Sequence, residues 1–347
     1  MTDMKANPSR NELSSEPVSG ERLSKAQIDR WRAAGAILVH DLIPEELLQK
    51  LANEAHEHFP APGTEEAAKF QNFGSEQRFV FPAPSAAFNQ VTLHPRLLQA
   101  VADLLDVTVE GLRLSQSDLW PKYGRKPSTH DNSNADQRMH CDYPNHMLVH
   151  PTPWHRPVAV EMIVYLSDST ECGGGTAVVP RTGDDDPAYP WPIVQTPGVG
   201  GLRYVNDRVR AEAYLEQTDP QAAAFRELLY AREELAQYRF GSVLLYRHDA
   251  WHRGTPLKEG TLRLAQNLTF RRADCEWVAT LHPGWAWSMY RPDQFMEKLI
   301  ASSSPEQRAV LGFPAPGADY WCPQTIDAVE ARYAAHGIDM APYRAQL

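Results

Sequence analysis

A mainly β fold with flanking helices is what this sequence predicts, and three observations predict it. Twenty-eight prolines and twenty glycines in 347 residues call for many turns and loops. From Leu112 onward, short β-prone runs separated by Gly, Pro, Asn and Asp replace helical periodicity. Ahead of them, apolar residues recur at helical spacing in three segments. Length alone would permit two domains, but all-β barrels run to roughly 200–250 residues as one unit. Residues 23–347 are therefore expected to form a single domain. Its parts are a helical support (23–110), a β core (111–275) with an insertion (183–239), and a helical C-terminal extension (276–347).

Residues 1–22 are polar, rich in Asn, Ser, Glu and Pro, and lack periodicity, so disorder is expected there. A helix follows, capped by Ser24, with Ile28 and Trp31 on one face and Gly35 ending it. Residues 36–39 make a short apolar strand. Pro44, at the first helical position, starts a second helix with a stripe of Leu47, Leu48, Leu51 and Ala55. A third helix spans 95–105 with Leu97, Leu98, Val101, Leu104 and Leu105 on its apolar face. Strands are expected at 112–120, 138–142, 158–166, 176–179, 242–247 and 261–271, the fourth after the Gly173-Gly174-Gly175 turn. The insertion is rich in Asp, Pro and Gly and carries a helix over 220–237; such insertions often shape the mouth of a site. Beyond Pro283 come short helices. One is started by Ser304-Pro305-Glu306 and stopped by Gly312, another covers 325–333, and both are expected on the outside of the sheet.

Composition limits the function. A net charge of -10 with no Lys/Arg cluster argues against a nucleic-acid backbone as partner. No apolar run marks a signal peptide or a membrane span, so a cytoplasmic protein acting on a small molecule is expected. Cys141, Cys172, Cys275 and Cys322 lie far apart with no C-x-x-C pair, which reads as four reduced thiols. Nothing in the sequence sets an oligomeric state.

Chemistry concentrates in two remote stretches, Arg138-Met139-His140-Cys141-Asp142-Tyr143 and Trp251-His252-Arg253-Gly254-Thr255. On a strand, His140 and Asp142 are two apart and project from one face. With His252 they make two imidazoles and a carboxylate, which can occupy one face of an octahedral metal and leave the other open, as in non-haem Fe(II) oxygenases. His248, four residues earlier, is the alternative partner. On the strand 261–271, Leu262, Leu264, Leu268 and Phe270 share one face, and Arg263, Ala265, Asn267 and Thr269 the other. An arginine in a barrel lumen needs an anion, and a dicarboxylate would match its guanidinium with two parallel hydrogen bonds.

His-x-Asp, a histidine 110 residues on and an arginine eleven further resemble the phytanoyl-CoA dioxygenase-like branch of the Fe(II)/2-oxoglutarate oxygenases. Residues 171–183, Glu-Cys-Gly-Gly-Gly-Thr-Ala-Val-Val-Pro-Arg-Thr-Gly, are similar to that family's turn and strand ending in Pro-Gly-Ser-His. The stretch Gly35-Ala36-Ile37-Leu38-Val39 before a Pro-Glu-Glu helix is similar too, and the likeness covers roughly residues 23–275. The resemblance implies a double-stranded β-helix (a cupin-like jelly roll) with Fe(II) held by His140, Asp142 and His252. It implies 2-oxoglutarate as co-substrate, its C5 carboxylate clamped by Arg263 with Thr255 adding a hydroxyl, and O2 as oxidant. Several relatives carry serine where this chain has Gly254, and Pro180-Arg181-Thr182-Gly183 departs from Pro-Gly-Ser-His. The implied reaction releases succinate and CO2 and oxidises a substrate C–H bond. Related halogenases lack the carboxylate, so Asp142 favours hydroxylation, with desaturation, ring formation and epimerisation sharing the same oxidant.

Tyr143, His146 and Gln137 are candidates for the substrate pocket, and Lys122 for a co-substrate contact. Tyr143, Trp154, Trp277, Trp285 and Trp287 could wall it, although core packing is the commoner explanation for such aromatics. The Asp184-Asp185-Asp186 run reads as a solvated turn. The competing function is a cupin-like metal-dependent hydrolase or isomerase, which would have no use for Arg263. Without a basic cluster for coenzyme A phosphates, a free metabolite is the expected substrate.

Overall fold

The computed structural model describes residues 11–70, 77–126, 130–191, 198–276 and 294–347. The expectation of disorder through residue 22 is corrected within it: residues 11–17 form β1 (Asn11–Ser14) and β2 (Glu16–Pro17). Helix α1 (Lys25–Ala34) starts at Ser24, whose hydroxyl accepts from the Gln27 N–H while the Gln27 side chain accepts from the Ser24 N–H. It stops at Gly35, whose φ of 91° closes the helix at no Cβ cost. Then come β3 (Ala36–His40) and α2 (Glu45–His58), where Pro44 is the N-cap and not the first helical residue. Two helices of about one to two turns, α3 (Glu65–Lys69) and α4 (Ala86–Thr92), are too short for a periodic stripe to reveal them. They precede α5 (Pro95–Leu105) and β4 (Leu112–Tyr123), which runs three residues past its expected end.

Residues 138–142 are not a strand. Only His140 forms a bridge, opposite His252, and Asp142 turns (φ −92°, ψ −15°) into α6 (Tyr143–His146). After β5 (Ala159–Tyr165), α7 (Ser169–Cys172) and β6 (Thr176–Val178), the insertion folds as α8 (Arg208–Thr218) and α9 (Pro220–Arg232). The helix expected to reach residue 237 stops at Arg232, because after Glu233 the chain forms β7 (Glu234–Gln237) between two other strands. Strand pairing here overrides local propensity. Next come β8 (Val243–Arg247), β9 (His252–Gly254), β10 (Leu262–Arg272), and helices α10 (Phe295–Ser302), α11 (Pro305–Val310), α12 (Pro323–Tyr333) and α13 (Ala341–Arg344).

The described strands form two sheets of a jelly roll flanked by helices, ordered β2-β3-β8-β5-β10-β4 and β1-β7-β6-β9. Between them Leu38, Ile163, Leu244 and Ala265 of the larger sheet meet Val178 and Ala236 of the smaller, and Tyr165 stacks on Tyr238 at 3.9 Å. The other face of the larger sheet, with Leu264, Leu268 and Phe270, packs on Trp31, Leu48, Phe88, Leu97 and Leu104 of the N-terminal helices. Strand β10 thus divides its two faces as its alternation predicts. Leu268→Ala is expected to cost roughly 2–5 kcal/mol, lost transfer free energy plus a cavity, read as a lower urea midpoint. All four cysteines are free thiols. Among the described residues no helix is long and apolar enough to cross a membrane.

Candidate metal centre

His252 opens β9, and its backbone exchanges two hydrogen bonds with His140: His140 N–H to His252 carbonyl (2.9 Å) and the reverse (2.8 Å). That bridge sets the imidazoles side by side, centroids 4.4 Å apart. Asp142 joins them because its N–H and that of Tyr143 both donate to the His248 carbonyl (2.9 Å each), anchoring the turn. One ligand atom from each of His140, Asp142 and His252 lies within 4.8 Å of the others. Nε2 of His140 is 3.6 Å from one Asp142 oxygen, and Nε2 of His252 is 3.1 Å from the other. His248 is elsewhere, its Nε2 beside the Met147 sulfur at 3.2 Å.

Each imidazole is oriented the same way. Nδ1 of His140 faces the Arg138 carbonyl (3.0 Å) and Nδ1 of His252 the Ala250 carbonyl (3.1 Å). With the proton on Nδ1, each Nε2 lone pair is left for a metal. Burial, then the neighbouring His252 and Arg138, hold the pKa of His140 well below the usual imidazole value, so it is neutral and fit to ligate. Burial works to raise Asp142, but the neighbouring His252, with His140, outweighs it and keeps the carboxylate below its ordinary range. Asn145 and Tyr246 also donate to Asp142, at 3.1 and 3.3 Å.

The ligand loop is gripped from two sides. From the insertion, Asn206 takes the Arg138 N–H and guanidinium (2.7 Å each), Arg226 donates to the Met139 carbonyl (2.9 Å), and Tyr230 accepts from the Met139 N–H (3.0 Å). Buried Arg253 pairs with Glu233 and Asp136 beneath it. From the tail, Tyr320 donates to the His150 carbonyl (2.8 Å), Tyr333 to Leu148, and Arg332 to Val149 and Pro144. So the C-terminal helices lie on this loop and not simply on the outside of the sheet, a role that local sequence does not mark. His150 is fully buried here, its pKa held down to about 3 by burial and then Arg332. It is neutral in the fold and gains a proton on unfolding below about pH 6.5, so its stability contribution is complete above 6.5 and lost as pH falls toward 3. About 2 kcal/mol should be lost between pH 7 and 5 through this group. Denaturation at both pH values should show His150→Gln losing correspondingly less.

At the other end of the inner face, Arg263 of β10 stands opposite Lys122 of β4. Arg263 is 5% exposed; it donates to the Gly174 carbonyl, while its Nε has no hydrogen-bond partner among the described residues. Lys122 is 1% exposed and donates to the Thr255 carbonyl (3.0 Å). Burial, then Arg263, drives the Lys122 pKa well down, a penalty that an anion between the two side chains would reverse. Thr255 commits its hydroxyl proton to the Gly175 carbonyl (2.6 Å), so it does not offer that proton to a carboxylate as expected. Gly254 has a steric reason: a Cβ there would sit 2.5 Å from Gln137 Oε1 and 3.3 Å from Lys122 Nζ.

The pocket candidates separate. Gln137 accepts from the Gly254 N–H (2.8 Å) and braces β9. Tyr143 is fully buried among the tail residues, its ring 5.2 Å from that of His150. His146 faces inward, Nε2 3.7 Å from Glu161, its pKa lowered to about 4 by burial. Trp154 lies under the Arg247 guanidinium at 3.8 Å and donates to the Arg32 carbonyl, a structural role; Trp277, Trp285 and Trp287 lie outside the described residues. Asp186 is no solvated turn: it is buried, paired with Arg232 and capped by the Thr182 and Ala188 N–H groups.

The sequence profile of the phytanoyl-CoA dioxygenase (PhyH) family matches residues 31–259. The chain belongs to the phytanoyl-CoA dioxygenase family. The match takes in His140, Asp142 and His252 and ends four residues before Arg263. Among solved structures the chain is similar to the non-haem α-ketoglutarate-dependent carbocyclase SnoK from nogalamycin biosynthesis. Identity is 14% over 76% of this chain and 88% of that one, with a TM-score of 0.49. It is also similar to EvdO2 from Micromonospora carbonacea var. aurantiaca (13%, 72% and 91%, TM-score 0.48). A third is HygX from Streptomyces hygroscopicus with nickel and 2-oxoglutarate bound (15%, 73% and 89%, TM-score 0.47). None of the curated proteins matches. As a member of this family the protein is an iron- and 2-oxoglutarate-dependent enzyme.

Proposed function

We propose that this protein is an Fe(II)- and 2-oxoglutarate-dependent dioxygenase that hydroxylates a free small-molecule metabolite in the cytoplasm, releasing succinate and CO2. The observation that carries the reading is the joint presence of a His140–Asp142–His252 cluster within 4.8 Å and a buried Arg263 whose Nε lacks a hydrogen-bond partner among the described residues. Two imidazoles and a carboxylate, with Nδ1 of each ring tied to a carbonyl, fit a ferrous ion. A ferrous centre with open positions supplies O2 activation coupled to decarboxylation of the keto acid.

This chain's own residues then have defined work. His140, Asp142 and His252 would hold the ion on one face. Arg263 would take the far carboxylate of 2-oxoglutarate by two parallel hydrogen bonds, and Lys122, its neighbour across the strands, would add a second positive charge. Between them Arg263 and the ligands fix both ends of the co-substrate. The free thiols are consistent with a reducing compartment. A hydrolase or isomerase on the same scaffold has no need of a buried cation pair facing the site. Anaerobic titration with Fe(II) and 2-oxoglutarate, followed by a metabolite screen for succinate formation with O2 uptake, tests the reading. Metabolite conversion without O2 uptake would overturn it.

A further inference from the structure

Glu161 is a buried acid that the metal chemistry leaves unused. It sits mid-way along β5, between Thr269 of β10 and Tyr246 of β8 in the strand register. Side chains directly opposite on adjacent strands share a face, so the three form a row across the inner surface of the larger sheet. The row ends at the metal cluster, because the Tyr246 hydroxyl donates to Asp142 (3.3 Å). Thr269 donates to Glu161 Oε2, and His146 Nε2 stands 3.7 Å from Oε1, too far for a hydrogen bond. Glu161 is 5% exposed, and its Oε1 has no hydrogen-bond partner among the described residues.

A buried oxygen left bare costs roughly 1–3 kcal/mol. The same face of β5 otherwise carries Ala159, Ile163 and Tyr165. One strand further out, Asp118 and Gln116 of β4 are half-buried opposite Asn267 and Thr269, extending the polar surface away from the metal cluster. The charged group next along this face, Arg271, is engaged with the Arg272 and Cys275 carbonyls. Arg263 stands six residues from Thr269 on the same face of β10, with Ala265 and Asn267 between them.

We propose that Glu161 is a specificity-determining residue: its Oε1 receives a hydroxyl or amine of the substrate and so turns a neighbouring C–H bond toward the metal centre. The inference rests on the oxygenase reading above and narrows its substrate to molecules carrying such a hydrogen-bonding group. The test uses Zn(II)-substituted, 2-oxoglutarate-loaded protein, which binds without turning over, and reads ligand binding by saturation-transfer NMR. The probes are cyclohexanol, cyclohexylamine, benzyl alcohol and benzylamine, each beside its O-methyl ether or N-acetyl derivative. At least one free alcohol or amine should bind about tenfold tighter than its capped counterpart, the value of one hydrogen bond.

Glu161→Met should erase that preference while Zn(II) and 2-oxoglutarate stoichiometries stay unchanged; Glu161→Ala is the second carboxylate-free variant if the first fails that check. Glu161→Gln separates the two sources, keeping a preference for alcohols and losing one for amines. Wild-type protein that shows no preference in any pair, or a preference that survives in the carboxylate-free variant, overturns the proposal. Wild-type protein that fails to bind Zn(II) and 2-oxoglutarate would instead sink the oxygenase reading, so the two failures are distinguishable.

Discussion

Asp142→Ala is expected to abolish metabolite-dependent succinate formation while leaving the protein folded. The carboxylate is one of three proposed ligands and its removal leaves two imidazoles 4.4 Å apart, unable to hold the ion on one face. Loss of a group that merely orients a ligand costs roughly 10–100-fold in metal affinity or activity, and loss of the ligand itself should exceed that. The fold should tolerate the change. Asp142 accepts from Asn145 and Tyr246, interactions worth about 1–2 kcal/mol net, whereas the loop's grip comes from Arg226, Tyr230, Tyr320 and Tyr333. Circular dichroism melts should therefore show a shift of a few degrees at most, alongside absent succinate. A variant that retains turnover would remove the cluster from the mechanism.

Arg263→Ala is expected to act almost wholly on 2-oxoglutarate. Two charge-assisted hydrogen bonds to a carboxylate in a buried site are worth about 3 kcal/mol together, so affinity should fall roughly 100-fold. Fe(II) affinity should change little, because Arg263 is not part of the ligand cluster. Anaerobic calorimetry, Fe(II) first and 2-oxoglutarate second, measures both in one sample. Unchanged 2-oxoglutarate affinity would refute the clamp. The variant also removes the cation that presses on Lys122, so the Lys122 pKa should rise toward its ordinary value.

Periodicity made the larger sheet readable. On strand β10 Leu262, Leu264, Leu268 and Phe270 share one face, and Leu264, Leu268 and Phe270 do face the helices. Capping chemistry at Ser24, Gly35 and Ser304 placed helix ends in the same way. Short elements were illegible for the same physical reason that long ones were plain. Helices α3 and α4, and strands β7 and β9, are too brief for a period to emerge, and β7 exists because β6 and β1 lie on either side of it.

By itself the sequence determined which residue types are available for a metal and an anion, and at what separations: two histidines, an aspartate and an arginine spaced as in one enzyme family. It did not determine how they meet. His140 and Asp142 share a site because the chain bridges to His252 and then turns, not because a strand alternates, and that turn is held by residues from an insertion and a tail far away in sequence. Glu161 gained meaning only from its register partners, Thr269 and Tyr246, since the environment that makes a charge costly is assembled by tertiary packing and is absent from the unfolded chain.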